Sequence, residues 1–184
     1  MTRLYTGAGD DGTTGLLFGG RVRKDSAIPE ACGAADEAQA CIGLARAEAR
    51  VAGGERSDEL DGILTEVERD LWVLMAELAT APDNRDKLVE GKTAVTVDMV
   101  ARLESLVDDV GARFEPPREF VVPGQDRLSA LLDVARTVVR RAERAATAVA
   151  ADDSQVVPYL NRLSSLLWAL ARWVEGDALA ARQR

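Results

Sequence analysis

Between Leu60 and Leu78 the apolar side chains of Leu60, Ile63, Leu64, Val67, Leu71, Leu74, Met75 and Leu78 recur at three and four residues, a spacing that an α-helix gathers on one face. The period returns at Val97, Val100, Leu103, Leu106, Val107 and Val110, and again at Leu160, Leu163, Leu167, Leu170 and Val174. Small and apolar residues around Asp36 and Glu37 predict a further helix from about Glu30 to Ala52, stopped by Gly53-Gly54. A fourth runs from about Asp126 to Ala151. Ser57 and Asp58 are suited to cap the second helix, Ala81-Pro82 ends it, Gly111 stops the third, and Val157-Pro158 opens the last, which closes near Gly176. Five helices of roughly 20 residues, each about 30 Å long, predict an all-α, up-and-down five-helix bundle in one domain.

Composition narrows what such a bundle can do. The 184 residues carry a net charge of −8, which argues against a nucleic-acid partner needing a broad cationic surface. Neither a signal peptide nor a run as long as a membrane span is visible, so a cytoplasmic protein without membrane contact is expected. There is no histidine, which removes serine triads, Cys-His pairs and the usual metal ligands. Cys32 and Cys41 then read as reduced, helix-packed thiols.

Against this acidic background, the segment SALLDVARTVVRRAER puts four arginines and one glutamate between Arg136 and Arg144. At about 100° per residue, Arg136, Arg140, Glu143 and Arg144 share one helix face and Arg141 falls outside it. Leu131, Ala135, Val138, Val139, Ala142 and Ala146 take the opposite face. The strip is either a solvated face or intersubunit ion-pair network, or a grip on phosphate oxygens suited to arginine's planar fork.

Residues 6 to 20, TGAGDDGTTGLLFGG, hold six glycines and read as a shaped loop. Gly7, Gly9 and Gly12 satisfy GxGxxG, but no helix starts after them, and no Walker lysine follows the last glycine, so neither nucleotide motif applies. The loop is either a mobile terminus or, with the hydroxyls of Thr6, Thr13 and Thr14 and with Lys24 just downstream, a triphosphate cradle. Residues 82 to 94 read as another loop, and Phe120-Val121-Val122, bracketed by prolines, as a short extended piece. Asp36 and Glu37 are solvated charges or partners of an arginine on another helix or subunit. Asn161 is a polar cap or a reader of a nucleobase edge. Phe120 is a small-core anchor or a functional wedge.

Four segments, YTGAGDDGTTGL, RVRKD with GAADEAQACIG, FVVPG with SALLDVARTVVRRAER, and YLNRLSSLLWALAR, together resemble the PduO-type ATP:cob(I)alamin adenosyltransferases, in the family's order. The resemblance implies a ferritin-like five-helix domain over 1–184, with 1–25 as an ATP-binding loop and about 30–176 as the bundle. It further implies a homotrimer with active sites between subunits, and transfer of the 5'-deoxyadenosyl group of ATP to cob(I)alamin, giving adenosylcobalamin and tripolyphosphate. Carried over by motif position, Thr6, Gly7, Gly9, Thr13, Thr14 and Lys24 would hold the triphosphate with Mg²⁺. Arg140, Glu143 and Asn161 would complete the ATP site. Asp36 would pair with Arg136 across subunits near the corrin, and Phe120 would sit beneath the corrin and displace its lower ligand. A reductase and an adenosylcobalamin-dependent enzyme are the further partners implied. Gln125, Asp133, Cys32 and Ser165 depart from the usual pattern, which bears on the corrin pocket. The alternative is a non-catalytic trimeric carrier or sensor of ATP or cobalamin.

Overall fold

A computed structural model describes residues 4–182. Helix α1, Ala27–Ala52, begins three residues earlier than the sequence suggests, because Pro29 falls in the first turn, where its missing N–H costs no intrahelical bond. Helix α2, Glu55–Leu78, follows after Gly53 and Gly54, both at positive φ, in a reversal of two residues. Gly54 occupies the N-cap, so Ser57 and Asp58 lie inside the helix and the predicted side-chain cap is not made. Helix α3, Val97–Gly111, is capped by Thr96, whose hydroxyl accepts from the Met99 N–H. Helix α4, Arg127–Ala146, is capped by Asp126 through the Ser129 N–H and ends earlier than expected. Helix α5 spans Val156–Glu175. Two expected loops carry short regular pieces: a 3-10 turn at Pro82–Lys87, and a hairpin of β1, Thr13–Gly15, and β2, Arg21–Arg23, inside the glycine-rich segment. In the hairpin Thr14 pairs with Val22 in antiparallel register.

Helix α1 lies between α2 and α4, and α5 between α4 and α3, with α2 touching α5 to close the bundle. The α1–α4 pairing is the most extensive, and both helices bring fully buried alanines to the core: Ala35, Ala38 and Ala45 from α1, Ala135 and Ala146 from α4. Side chains this small let backbones approach closely. The leucine stripes of α2 and α5 fill the rest, with Leu64, Leu71, Leu74, Leu163 and Leu167 all fully buried. None of the helices among the described residues is long and apolar enough to cross a membrane.

Two polar networks pin this core. Asp70 on α2 accepts from the hydroxyl of fully buried Tyr159 on α5 at 2.8 Å and pairs with Arg102 on α3. Burial and the neighbouring carboxylate push the Tyr159 phenol well above its ordinary pKa, so it stays a donor. Tyr159→Phe removes that donor without changing the shape of the core. The expected loss is about 1–2 kcal/mol, or roughly 2–8 °C in Tm, read by thermal unfolding. Glu77, at the end of α2, accepts from Ser154 Oγ at 2.6 Å, the Val95 N–H at 2.7 Å and Arg85 at 3.3 Å. That carboxylate gathers the start of α3, the α4–α5 connection and the 3-10 turn at one end of the bundle.

Candidate functional site

The hairpin docks at this same end: the Leu17 N–H donates to Ala79 O at 2.9 Å, and Asn84 Nδ2 reaches Gly19 O at 3.4 Å. Inside it Gly7 adopts φ +72°, and the Asp10 N–H closes a turn onto Gly7 O. The side chain of Lys24 lies across Gly9 so closely that a Cβ there would come within 3.0 Å of both Lys24 Nζ and Thr13 O. The missing side chain at Gly9 is what admits the ammonium. Thr13 is engaged locally: its hydroxyl donates to Asp11 Oδ1 at 2.7 Å and accepts from Arg21 Nε at 3.0 Å, while Arg21 Nη2 donates to Ala8 O at 2.7 Å. These hydrogen bonds hold the Asp11 carboxyl below its ordinary pKa, the Thr13 hydroxyl contributing most. Thr6 Oγ1 accepts from the Ala8 N–H at 3.3 Å, and Thr14 sits in β1. Asp11 and Arg21, which brace the loop, were not singled out in the sequence, since only the hairpin register brings Arg21 opposite Gly15 and within reach of Thr13.

On α4 and α5 the structure brings Glu143 and Asn161 within hydrogen-bond distance. Asn161 Nδ2 donates to Glu143 Oε1 at 2.8 Å, and Asn161 Oδ1 accepts from Arg162 Nη1 at 2.7 Å. Arginine can only donate and an ionised carboxylate only accept, so these two neighbours dictate which way the amide points. Arg162 is itself held through Nε by Glu104 of α3 at 2.7 Å. Sequence reasoning passed over Arg162 and Glu104. Adjacency to Asn161 was a signal for the first, while the second depends on α3 packing against α5.

The four arginines between 136 and 144 separate in the fold. Arg141 pairs with Glu37 of α1 within the chain, which settles the partner left open for Glu37. Arg144 turns back to donate to Arg140 O at 2.9 Å. Arg136 Nε donates to Asp133 Oδ1 at 3.1 Å. Of the four, only Arg140 keeps a guanidinium without a partner among the described residues, and it is exposed. Arg136 and Arg140 line a cleft of about 330 Å³ whose other walls include Ser164, Ser165 and Trp168 of α5 and Phe114, the two rings lying 6.1 Å apart. A cleft with cations on one side and aromatic surface on the other suits a flat ligand that carries anionic groups.

Phe120 lies toward the opposite end, on the connector that leads into α4, and its side chain is 90% exposed. The expected extended piece is present and has found a partner: the Val122 N–H donates to Leu179 O at 2.8 Å and the Ala181 N–H to Phe120 O at 2.7 Å. A core anchor is thereby ruled out, since this ring packs against almost nothing. Asp36 is exposed on α1 and does not meet Arg136 within the chain. Nor does any hydrogen bond or ion pair among the described residues join the hairpin to α4 or α5. Cys32 and Cys41 are free thiols, and burial pushes Cys32 up to about 11, which keeps it protonated and inert at neutral pH. No three His, Cys, Asp or Glu side chains among the described residues converge on a metal-sized space.

Comparison with known proteins bears on this arrangement. The family model described as cobalamin adenosyltransferase matches residues 4–174. The chain is 40% identical over 186 residues to the corrinoid adenosyltransferase of Mycobacterium tuberculosis, spanning 97% of this chain and 93% of that one. To the corrinoid adenosyltransferase of Bacillus subtilis it is 37% identical over 176 residues, 94% of this chain and 86% of the other. Its fold matches, with a TM-score of 0.84 and 25% identity over 99% of this chain and 98% of the other, a variant PduO-type ATP:corrinoid adenosyltransferase from Lactobacillus reuteri complexed with cobalamin and ATP.

Proposed function

The chain belongs to the cobalamin adenosyltransferase family, and we propose that it carries out ATP-dependent adenosylation of cobalamin with the nucleotide held at the hairpin end of α4 and the corrin toward the Phe120 end. The observation that carries this reading is the placement of functional groups along one helix. Glu143, bound to Asn161, lies at the end that also holds the hairpin, whereas Arg136 lies seven residues, or about 10 Å, toward the connector. Such a line suits a substrate pair in which a triphosphate at one end must be aligned with a reacting carbon nearer the other.

In the reaction, cobalt in the Co(I) state attacks the ribose C5' of ATP. The Co–C bond forms, the C5'–O bond breaks, and its electron pair leaves with tripolyphosphate. Co(I) is already a strong nucleophile, so the step needs no protein base, in keeping with a chain that lacks histidine. The protein's contribution is alignment and stabilisation of charge on the leaving group. Lys24 and the unpartnered Arg140 supply the cations, and the backbone turns at Gly7 and Gly9 let the phosphates approach closely. Thr6 and Thr14 add hydroxyls, with Thr13 holding the turn. Glu143 and Asn161 orient the nucleoside. Mg²⁺ carried on the ATP phosphates would offset their charge, and Thr6, Thr13, Thr14 and Lys24 are the residues that would hold the triphosphate it accompanies.

Because no hydrogen bond or ion pair among the described residues joins the hairpin to α4 or α5, we take the complete site to form between copies, in a homotrimer whose neighbouring subunit brings its hairpin to this cleft. The same arrangement gives exposed Asp36 a partner in Arg136 of another copy, whose Nη groups remain available. A carrier or sensor that binds without reacting is not favoured, since the relatives matched along nearly the whole chain are transferases. The decisive experiment is an anaerobic assay with ATP, Mg²⁺ and chemically reduced cobalamin, following the cobalt–carbon bond by absorbance. Absence of adenosylcobalamin at high enzyme concentration would reject the proposal.

Gly9 offers a narrower test. Gly9→Ala forces Lys24 Nζ or Thr13 O aside, and the expected result is a rise of about 3- to 10-fold in KM for ATP with little change in Tm, since the loop is exposed. Steady-state kinetics with ATP varied would check it, and an unchanged KM would separate Lys24 from the phosphates.

A further inference from the structure

Asp133 is one of the few acidic side chains buried in this protein, its side chain only 6% exposed. Its two oxygens face two different arginines: Oδ1 accepts from Arg136 Nε at 3.1 Å, and Oδ2 from Arg172 Nη2 at 2.7 Å. Arg172, on the last turn of α5, is 2% exposed and is also paired with the fully buried carboxylate of Glu175 at 2.6 Å. The result is a chain of alternating charges, Glu175–Arg172–Asp133–Arg136, anchored in the interior at one end and reaching the surface at the other. Arg136, 27% exposed, stands between two clefts. One holds Arg140 and Trp168, and the other, of about 260 Å³, is lined by Pro123 and Gly124 of the connector that carries Phe120.

From this geometry we infer that Asp133 is a positioning residue for the corrin half of the site, acting through Arg136. The inference rests on the reading of Arg136 given above. Two donors on opposite sides of residue 133 require two acceptor atoms. A carboxylate has them, whereas an amide would turn its NH₂ toward one arginine and a neutral imidazole has a single acceptor. Binding at Nε fixes the plane of the Arg136 guanidinium and leaves its Nη groups for the corrin side and for Asp36 of a second copy. Because Asp133 is itself held by buried Arg172, the rotamer entropy of Arg136 is lost on folding and not on corrinoid binding. Without Asp133, Arg136 would be a mobile surface arginine that has to be ordered each time a corrinoid arrives.

The test compares the intact protein with Asp133→Asn, Arg136→Ala and the double variant, measuring dissociation constants for cob(II)alamin by anaerobic absorbance titration and for ATP by calorimetry. Asp133→Asn is expected to weaken cob(II)alamin binding about tenfold while ATP binding stays within about twofold. In the Arg136→Ala background the same substitution should have no further effect, because its route to the ligand is gone. If Asp133→Asn does not fold, Asp133→Glu, which keeps two acceptors but displaces them by a methylene, carries the comparison. Unchanged cob(II)alamin affinity overturns the inference. So does an equal loss for both ligands, or a loss that persists in the Arg136→Ala background, either of which would mark Asp133 as a general support of the fold. Failure of the unaltered protein to bind cob(II)alamin would instead reject the site reading, and the inference with it.

Discussion

Arg140→Ala is expected to lower kcat/KM for ATP by about 10²- to 10³-fold, the range seen when one charged or hydrogen-bonding group is removed from a site of developing negative charge. The effect should be almost purely functional. The Arg140 side chain is exposed and its guanidinium has no partner among the described residues, while its backbone carbonyl, which receives Arg144, is unaffected by the substitution. Surface changes of this kind shift stability by no more than about 0.5 kcal/mol, so Tm should barely move. Arg141→Ala provides the control, because Arg141 is tied to Glu37 on α1 and is not a wall of the cleft. Steady-state kinetics and thermal unfolding of the two variants, side by side, would decide the matter. Equal activity in Arg140→Ala and the unaltered protein would remove Arg140 from the nucleotide site.

Phe120→Ala should separate two steps that a single assay merges. With Co(II) supplied together with a reducing system, the rate is expected to fall by about 10- to 100-fold, a barrier change of roughly 1.4–2.7 kcal/mol. With cobalamin already reduced to Co(I), it should stay within a few-fold of the original. On the proposed reading the Phe120 ring would lie beneath the corrin and exclude water or the base from its lower face, leaving a four-coordinate Co(II) that accepts an electron more readily than a five-coordinate centre. Once Co(I) is formed, that service is no longer needed. The ring is 90% exposed and the connector is held by main-chain hydrogen bonds from Val122 and Ala181, so truncation leaves the fold alone. Loss of the same size in both assays would reassign Phe120 to substrate binding, and no loss in either would reject the wedge.

The helices were legible because each is written locally. A three-and-four repeat of leucine and valine and a terminating glycine act within a few residues of one another, while the caps at Thr96 and Asp126 emerge only in the structure. Misreadings occurred where a local signal had two outcomes. Ser57 could cap a helix, but the tight Gly53-Gly54 reversal starts α2 earlier and leaves no cap to make. The glycine-rich segment could be loop throughout, yet Thr13–Gly15 and Arg21–Arg23 face each other and pair.

The candidate site residues divide along the same line. Residue chemistry alone marked Lys24, Arg136, Arg140 and Asn161 as groups that could grip a nucleotide or a polyanion, because ammonium groups, arginine forks and amides carry that capacity wherever they lie, whereas Glu143 entered through the family resemblance. Which of them are free was not in the sequence. Four neighbouring arginines look alike along the chain: Glu37 of α1 takes Arg141 across a helix interface, Asp133 takes Arg136 three residues along α4, and Arg140 has no partner among the described residues. Glu104, Arg162 and Arg172 likewise acquire their roles from helices far apart in sequence. The sequence by itself determined the helices, the ligand-gripping chemistry and the family pattern, since these depend on side-chain type and short spacing. Only the tertiary structure decided the pairs that join helices, Arg141 with Glu37, Arg162 with Glu104 and Arg172 with Asp133, because such a pair depends on distance and burial, which are set when one helix face meets another.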